Sequence, residues 1–248
     1  MIVLKTSKEV SKMRKACTIS AQALKYGGEL VSEGVTTAYI DKKIRQFIQS
    51  KGATPSFLGY GGFPGSACIS VNDEIIHGIP GARKLKNGDI VSIDVGANID
   101  GYHGDNAATF AVGEISEEDE LLIKVTRESF FEALKFCKVG FRLGDVGSAV
   151  ESYVKKYGFS VVREYVGHGV GKNLHEDPEV PNYGVPGHGV RLAAGMTIAI
   201  EPMVNAVGAG IKVLDNDWTV VTQSHSNAAH YENTIYITDG EPVILTTP

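Results

Sequence analysis

GDIVSID, at positions 88–94, and GMTIAIE, at positions 195–201, are two similar heptapeptides that lie 107 residues apart. Each begins with a glycine, continues through an apolar run that contains isoleucine, and ends in a carboxylate, Asp94 or Glu201. Short apolar runs that follow a turn residue are typical of buried strands. We interpret the pair as an internal repeat that brings one acid to the same point of each half of the protein.

Two helices repeat at nearly the same spacing. Gly34 and Gly140 lie 106 residues apart, and so do Gly52 and Gly158. Each half therefore has a segment, closed by a glycine, whose apolar residues recur at helical spacing, which predicts an amphipathic helix. The matching apolar positions are Ile40, Ile44, Phe47 and Ile48 in the first segment and Val146, Val150, Tyr153 and Val154 in the second.

Two further helices are predicted from their first turns. A capping box at 6–9 begins a helix whose apolar pattern stops at the paired glycines Gly27 and Gly28. The acidic residues 117–119 suit the positive end of a helix dipole, and the apolar pattern after them continues toward Gly140. Each half of the repeat thus has a pair of helices.

Short segments rich in β-branched residues predict the strands. Turn residues such as 98–101 separate neighbouring segments, so most strands should pair in antiparallel fashion. We therefore predict an α+β fold in which helices cover mainly antiparallel strands, with two pseudo-symmetric halves, roughly 1–112 and 113–248, in a single catalytic domain. The predicted strands are 67–71, 90–95, 107–112, 197–201, 218–222 and 234–237.

Composition excludes several classes of protein. The 248 residues are 43 % hydrophobic, which is ordinary for a globular chain and argues against disorder. No apolar run reaches the roughly 18 residues that span a bilayer, and the N-terminus is charged where a signal peptide is apolar. The 3 cysteines cannot form a disulfide framework. A net charge of −5 without a basic cluster argues against direct nucleic-acid binding. From the missing apolar span and signal peptide we expect a cytoplasmic protein with no membrane role.

Two common motifs can be excluded. The stretch GHGVGKN at 167–173 superficially resembles a phosphate loop, but Val166 occupies the position of the first glycine, and Asn173 replaces the serine or threonine. The same stretch fails the dinucleotide-binding pattern because Lys172 stands where the third glycine belongs. The sequence also lacks the G-x-S-x-G nucleophile motif.

The remaining candidates for chemistry are dispersed acids and one histidine. Asp94, Glu201 and Glu232 lie in apolar strand contexts, where an ionised acid is costly to bury without a cation. Asp105 and His168 are flanked by glycines, which let the backbone approach a ligand closely. Any one of these residues alone is more often structural. Together, four carboxylates and an imidazole suit a pair of divalent metal ions better than a single zinc, and such a pair makes amide hydrolysis plausible.

Five segments of the sequence contain the candidate residues: SVNDEIIHGIP at 70–80, DVGANIDGYHGDNAATF at 94–110, GHGVGKNLHEDPEVPNY at 167–183, AIEP at 199–202 and YENTI at 231–235. These segments resemble motifs of the methionine aminopeptidases, and with their spacing they cover nearly the whole chain. Only 31 residues separate Glu201 from Glu232, which leaves no room for a long insertion, so the resemblance is to the short bacterial type I class.

This resemblance implies the pita-bread fold and a two-metal centre. It implies that Asp94 chelates one ion, that His168 and Glu201 bind the other, and that Asp105 and Glu232 bridge both. The ions are divalent, and Co, Mn, Fe and Zn are all compatible with ligands of this kind. Glu201 matches the residue that transfers a proton from the bridging water.

The resemblance also implies residues that contact the substrate. His77 and His175 match two histidines near the scissile amide, where an imidazole can donate a hydrogen bond to the oxyanion or the leaving nitrogen. An apolar pocket for the methionine side chain is implied as well. Its predicted residues are Tyr60, Phe63, Cys68, Leu174 and Trp218.

Two positions depart from the pattern of that family. Asn233 stands where many members have histidine after the last glutamate, and His230 stands where glutamine is common. Asparagine cannot titrate, although an amide can still orient Glu232 by hydrogen bonding.

The implied function is hydrolytic removal of the initiator methionine from nascent proteins and peptides, with preference for a small second residue, by a water or hydroxide that the two metals activate. The implied partners are the nascent chain and, transiently, the ribosome, and we expect a monomer. Two alternatives of the same fold stay open: a proline-specific metallopeptidase and a binding protein without metals. A complete ligand set argues against the second alternative.

Overall fold

Four α-helices form the helical part of the computed structural model, which describes residues 1–248. The predicted capping box is present, since the Thr6 side chain accepts the backbone N–H of Glu9 and the Glu9 carboxylate accepts that of Thr6. None of the four helices has the length and apolar character needed to cross a bilayer. The helices are α1 (Ser7–Glu29), α2 (Thr37–Ser50), α3 (Glu117–Leu134) and α4 (Leu143–Lys155).

Fifteen strands and one short 3-10 helix, Tyr60–Gly62, complete the secondary structure. The strands of the first half are β1 (Thr54–Pro55), β2 (Ala67–Val71), β3 (Glu74–Ile76), β4 (Ile90–Ile99) and β5 (Tyr102–Ala111). Those of the second half are β6 (Ser160–Val161), β7 (Gly167–Gly169), β8 (Glu176–Val180), β9 (Thr197–Ile200), β10 (Met203–Asn205), β11 (Ile211–Val213), β12 (Val220–Thr222), β13 (Ala228–His230), β14 (Glu232–Tyr236) and β15 (Val243–Ile244).

The central layer is a nine-stranded sheet with the order β1-β4-β5-β14-β9-β7-β8, to which β2 adds beside β4 and β15 beside β14. Its strands pair in antiparallel fashion, as predicted. The longest pair is the β4–β5 hairpin, which turns at Asp100 and Gly101, both with positive φ. Strands of the two halves meet where β14 lies between β5 and β9.

Each helix pair covers its own part of this sheet. One buried apolar cluster joins α1 and α2 to β2 and β4, with Ile40, Ile44 and Ile93 among its members. A second cluster joins α3 and α4 to β9 and β14, with Val146 and Ile198 among its members. The predicted apolar faces of α2 and α4 are therefore core, and the α+β class is confirmed.

Two helix ends differ from the prediction. Helix α1 continues through Gly27 and Gly28 instead of stopping there. These glycines make room for close packing and do not mark the helix end: a Cβ on Gly28 would lie 2.2 Å from the ring of Phe110. Helix α3 ends at Leu134 and does not extend toward Gly140. Phe136 lies beyond the helix, in the connection that leads to α4.

Candidate metal centre and substrate cavity

Four carboxylates come from neighbouring strands of the central sheet. Asp94 on β4 and Glu232 on β14 are both register partners of Ala107 on β5. Asp105 lies two residues before Ala107 on the same strand. Register partners, and residues two apart in a strand, point to the same face of a sheet. Glu201 follows β9, which pairs with β14, so the sheet directs all four acids toward one place.

His168 on β7 brings an imidazole to these acids. Its Nε2 lies 3.8 Å from Asp105 Oδ2 and 3.7 Å from Glu201 Oε1. Its Nδ1 is 2.8 Å from the carbonyl oxygen of Gly169. Because a carbonyl only accepts, Nδ1 carries the proton and the lone pair of Nε2 faces the acids. Burial lowers the pKa of His168 to about 3, so the ring is neutral, as a metal ligand must be.

The acids are buried without enough partners of their own. Asp94 Oδ1, Asp105 Oδ1 and Glu232 Oε1 are each buried with no hydrogen-bond partner. Burial, and then the negative charge of Asp105, raises the pKa of Glu201 and Glu232 well above the ordinary value. Burial likewise raises the pKa of Asp94 and Asp105. Grouped oxygens with unused lone pairs, beside one imidazole, are a donor set that fits divalent cations.

All twelve residues predicted for the site line one cavity of about 870 Å³. The predicted metal ligands form part of its wall, and the predicted substrate residues form much of the rest. The sequence had placed these residues in both halves of the chain, between positions 60 and 232. The cavity is therefore where the two halves meet, and it is large enough for a small ligand.

The two predicted substrate histidines line the same cavity as the acids. The ring of His175 is 4.2 Å from that of His168, centroid to centroid, and its Nδ1 is 2.7 Å from the Tyr60 hydroxyl. His77 packs edge-on against Trp218 at 6.2 Å and has a left-handed φ of 57°. Burial lowers the pKa of His77 to about 4. At neutral pH its imidazole is therefore an uncharged donor or acceptor.

Four of the five predicted pocket residues form one apolar wall. Phe63, Cys68 and Leu174 belong to one buried cluster, and Trp218 packs against it with its ring 5.1 Å from that of Phe63. Tyr60 lies apart from this cluster. Its side chain is exposed at the rim of the cavity, where the hydroxyl contacts His175 instead of the apolar wall.

Three aromatic residues that line the cavity were missed by sequence reasoning: Phe57, Tyr102 and Tyr165. Phe57 belongs to the apolar wall, and Tyr165 packs edge-on against His77 at 5.7 Å. No periodicity or motif in the sequence distinguished them from ordinary core residues.

Asn233 does not contact the glutamate that it was expected to orient. Its Oδ1 accepts a hydrogen bond of 2.8 Å from the Thr246 hydroxyl, and no hydrogen bond joins it to Glu232. The expectation was wrong because adjacent residues of a strand point to opposite faces of the sheet. The other unusual residue, His230, lies beside the acids: its Nε2 is 3.8 Å from Glu201 Oε2.

Comparison with known proteins identifies the family of the chain. The model of metallopeptidase family M24 matches residues 11–239. The methionine aminopeptidase of Clostridium acetobutylicum is 53 % identical over 247 residues, which is 99 % of each chain. Methionine aminopeptidase 1 of Bacillus subtilis is 50 % identical over 246 residues, again 99 % of each chain. The crystal structure of methionine aminopeptidase from Thermotoga maritima has a TM-score of 0.98 and 45 % identity, with complete coverage of both chains.

The chain therefore belongs to metallopeptidase family M24, a family of hydrolases that use divalent metal ions. Within this family, its similarity over the full length is to the methionine aminopeptidases, as the sequence motifs had indicated.

The pita-bread fold is confirmed by the same comparisons. Prolidase from Pyrococcus furiosus shares it, with a TM-score of 0.81 and 25 % identity, and the match covers 66 % of that longer chain. The much higher identity to methionine aminopeptidases does not favour the proline-specific alternative.

Proposed function

We propose that the protein removes the initiator methionine from new polypeptides with the help of two divalent ions, and that a small second residue is preferred. The observation that carries this proposal is the position of the apolar wall and two neutral histidines beside a set of buried, under-partnered acids. The proposed metal ligands are Asp94, Asp105, His168, Glu201 and Glu232.

Each group of residues has a distinct role in this proposal. Phe63, Leu174 and Trp218 bind the methionine side chain through apolar contacts. When bound, two divalent ions supply Lewis acidity at the scissile carbonyl and lower the pKa of a water molecule. Glu201 accepts the proton of the attacking water and passes it to the leaving nitrogen. His77 and His175 donate hydrogen bonds to the carbonyl oxygen or the leaving nitrogen as charge develops there.

The wider setting follows from this activity. Initiator methionine is removed where proteins are made, so we propose that the protein acts in the cytoplasm and contacts the ribosome transiently. We further propose that it acts as a monomer and that residues 1–248 form a single catalytic domain with an internal repeat. Light scattering of the metal-loaded protein tests the monomer directly.

Peptide hydrolysis tests the activity. The protein, treated with EDTA and then supplied with a divalent metal, should release methionine from Met-Ala-Ser, release little from Met-Leu-Ser, and leave Ala-Pro peptides intact. The EDTA-treated protein without added metal is the control. Cleavage of Ala-Pro without release of methionine would instead assign the protein to the proline-specific peptidases, and no cleavage of any peptide would contradict a hydrolytic role.

Metal analysis tests the number and identity of the ions. Protein purified without chelators should contain up to two divalent ions per chain, and titration of the apoprotein with Co, Mn, Fe or Zn should restore activity. A titration that saturates at one ion per chain, with full activity, would contradict the two-ion centre.

A further inference from the structure

His230 is a buried histidine that the proposed mechanism does not use. It ends β13 and is 2 % exposed. Its backbone is fixed by Thr109 on β5, whose hydroxyl accepts the N–H of His230 and donates to its carbonyl oxygen, each at 2.9 Å. Met203 on β10 is its register partner on the other side. The backbone of His230 is therefore held in place on both sides.

The Nε2 atom of His230 is buried and has no hydrogen-bond partner. Two carboxylate oxygens lie nearest to it at almost equal distances: Glu201 Oε2 at 3.8 Å and Glu232 Oε2 at 3.9 Å. Leaving such a nitrogen unpaired costs about 1–3 kcal/mol. These two oxygens are the acceptors that could relieve this cost after a small rotation of the side chains.

His230 approaches the two glutamates from the side away from the cavity. Both glutamates line the cavity, whereas His230 does not. The side of each carboxylate that faces the cavity is therefore free to bind a metal ion. The imidazole approaches the Oε2 atom of each carboxylate from the other side. In metal sites, a donor that contacts a ligand from its outer side fixes the direction of that ligand and so strengthens metal binding.

We propose that His230 is a positioning residue of the metal centre: its Nε2–H donates a hydrogen bond shared between Glu201 and Glu232 and so fixes both carboxylates toward the metal ions. This inference rests on the proposed two-metal function. A neutral imidazole suits the role because it supplies one donor without adding a charge to the site. Glutamine can replace it, since its amide nitrogen reaches as far from the backbone as Nε2 and also donates.

Two substitutions of His230 test the proposal. His230→Leu introduces an apolar side chain of similar bulk and removes the donor, whereas His230→Gln keeps a donor. Titration calorimetry of the apoproteins with Mn²⁺ or Co²⁺ should show that the leucine variant binds metal about 10- to 100-fold more weakly than the wild type. The glutamine variant should recover to within about 3-fold, and the Co²⁺ absorption spectrum should change in the leucine variant alone.

Asn205→Ala is the matched control. Asn205 is also fully buried with an unpaired side-chain oxygen, and it lies on β10 next to β13 but has no contact with the four acids. This variant should lose stability without changing metal affinity. Circular dichroism of each apoprotein verifies that it is folded, and a leucine variant that does not fold is replaced by His230→Met.

Either of two results would overturn the proposal. Unchanged metal affinity and spectrum in the leucine variant would make His230 purely structural. A glutamine variant that binds metal as weakly as the leucine variant would mean that hydrogen-bond donation does not determine metal affinity. That result is expected if Nε2 itself binds the metal. If the wild type binds no divalent metal, the proposed function fails first, so the two failures can be told apart.

Discussion

Asp105 and His175 line the same cavity in different surroundings. Asp105 is 3 % exposed, and its Oδ1 is buried without a partner. His175 is exposed to the cavity and bonded to the Tyr60 hydroxyl. Asp105→Asn removes a negative charge from the proposed bridging position, so we expect the variant to lose bound metal and all measurable turnover. His175→Ala should keep its metal, while kcat falls about 10²- to 10³-fold.

Metal content by mass spectrometry and peptide kinetics on the same preparations separate these two effects. His188→Ala, which removes an exposed histidine outside the cavity, is the control and should behave as the wild type. Loss of metal from the His175→Ala variant would show that the assigned roles are wrong.

From the residues alone, candidates for the site stood out where burial conflicts with charge or where glycines flank a possible ligand. Asp94 and Glu232 stood out because an acid inside an apolar strand needs a cation. Phe57 and Tyr165 could not be found in this way, since aromatic residues are common in any hydrophobic core. Their place in the cavity depends on which segments meet in three dimensions. The contact of His230 with the acids was hidden for the same reason.

Among the helices and strands, α1 and β5 make one of the closest contacts in the molecule. A Cβ on Gly104 of β5 would lie 2.4 Å from the backbone nitrogen of Cys17 on α1, which cannot move without the helix. We expect Gly104→Ala to lower the free energy of unfolding by about 1–3 kcal/mol. Because Asp105 is the next residue, metal affinity should fall as well.

Urea denaturation and metal titration of the alanine variant measure both effects. Gly240→Ala is the matched control, because the nearest atom to its Cβ would be 3.9 Å away, and it should change stability by less than about 0.5 kcal/mol. Equal stability of the two variants would contradict the close contact.

A buried ion pair ties the N-terminal segment to β8. Lys5 and Glu176 are in direct contact, and their side chains are only 3 % and 8 % exposed. Lys5→Met leaves the carboxylate buried without its charged partner, which should cost about 3–5 kcal/mol. Adding Glu176→Gln removes that charge, so the double variant should be more stable than Lys5→Met alone.

Urea midpoints of the two single variants and the double variant measure this coupling. Lys135→Met, which breaks the exposed pair with Glu132, should leave stability unchanged. A double variant that is no more stable than Lys5→Met would mean that the unpaired charge is not the source of the loss. Because Glu176 follows His175, the single variant should also lower kcat.

The long elements could be predicted from periodicity, and the errors lie where packing outweighs local preference. The two glycines at the end of helix α1 are there because Ile44 and Phe110 leave no space for a side chain, and they do not end the helix. Strand β5 begins at Tyr102, well before the predicted 107, although Gly104, Asp105 and Asn106 are poor strand formers. It forms there because β4 pairs with it along its whole length. Strands of two or three residues, such as β6, are too short for any alternation to show.

For the molecule as a whole, the buried acids should set the pH dependence of stability when no metal is bound. Burial raises the pKa of Glu201 and Glu232, so the native apoprotein keeps protons that the unfolded chain loses. Stability from such groups is lost as pH rises through the raised pKa. Buried histidines act in the opposite direction, because burial lowers the pKa of His168 and of His230 to about 3. Their effect on stability is confined to pH values below the ordinary histidine pKa of 6.5.

Between pH 6.5 and pH 8.0 the acids therefore dominate, and the apoprotein should become less stable as pH rises, by about 1.4 kcal/mol per pH unit for each retained proton. Divalent metal binds the ionised acids and competes with those protons, so the stabilisation by added metal should increase over the same range. Urea midpoints in EDTA and in excess Mn²⁺, measured at three pH values, check both trends. The double variant Glu201→Gln/Glu232→Gln should flatten the EDTA series. A wild-type apoprotein whose midpoint does not fall as pH rises would mean that the four acids are already ionised without a cation, which their burial opposes.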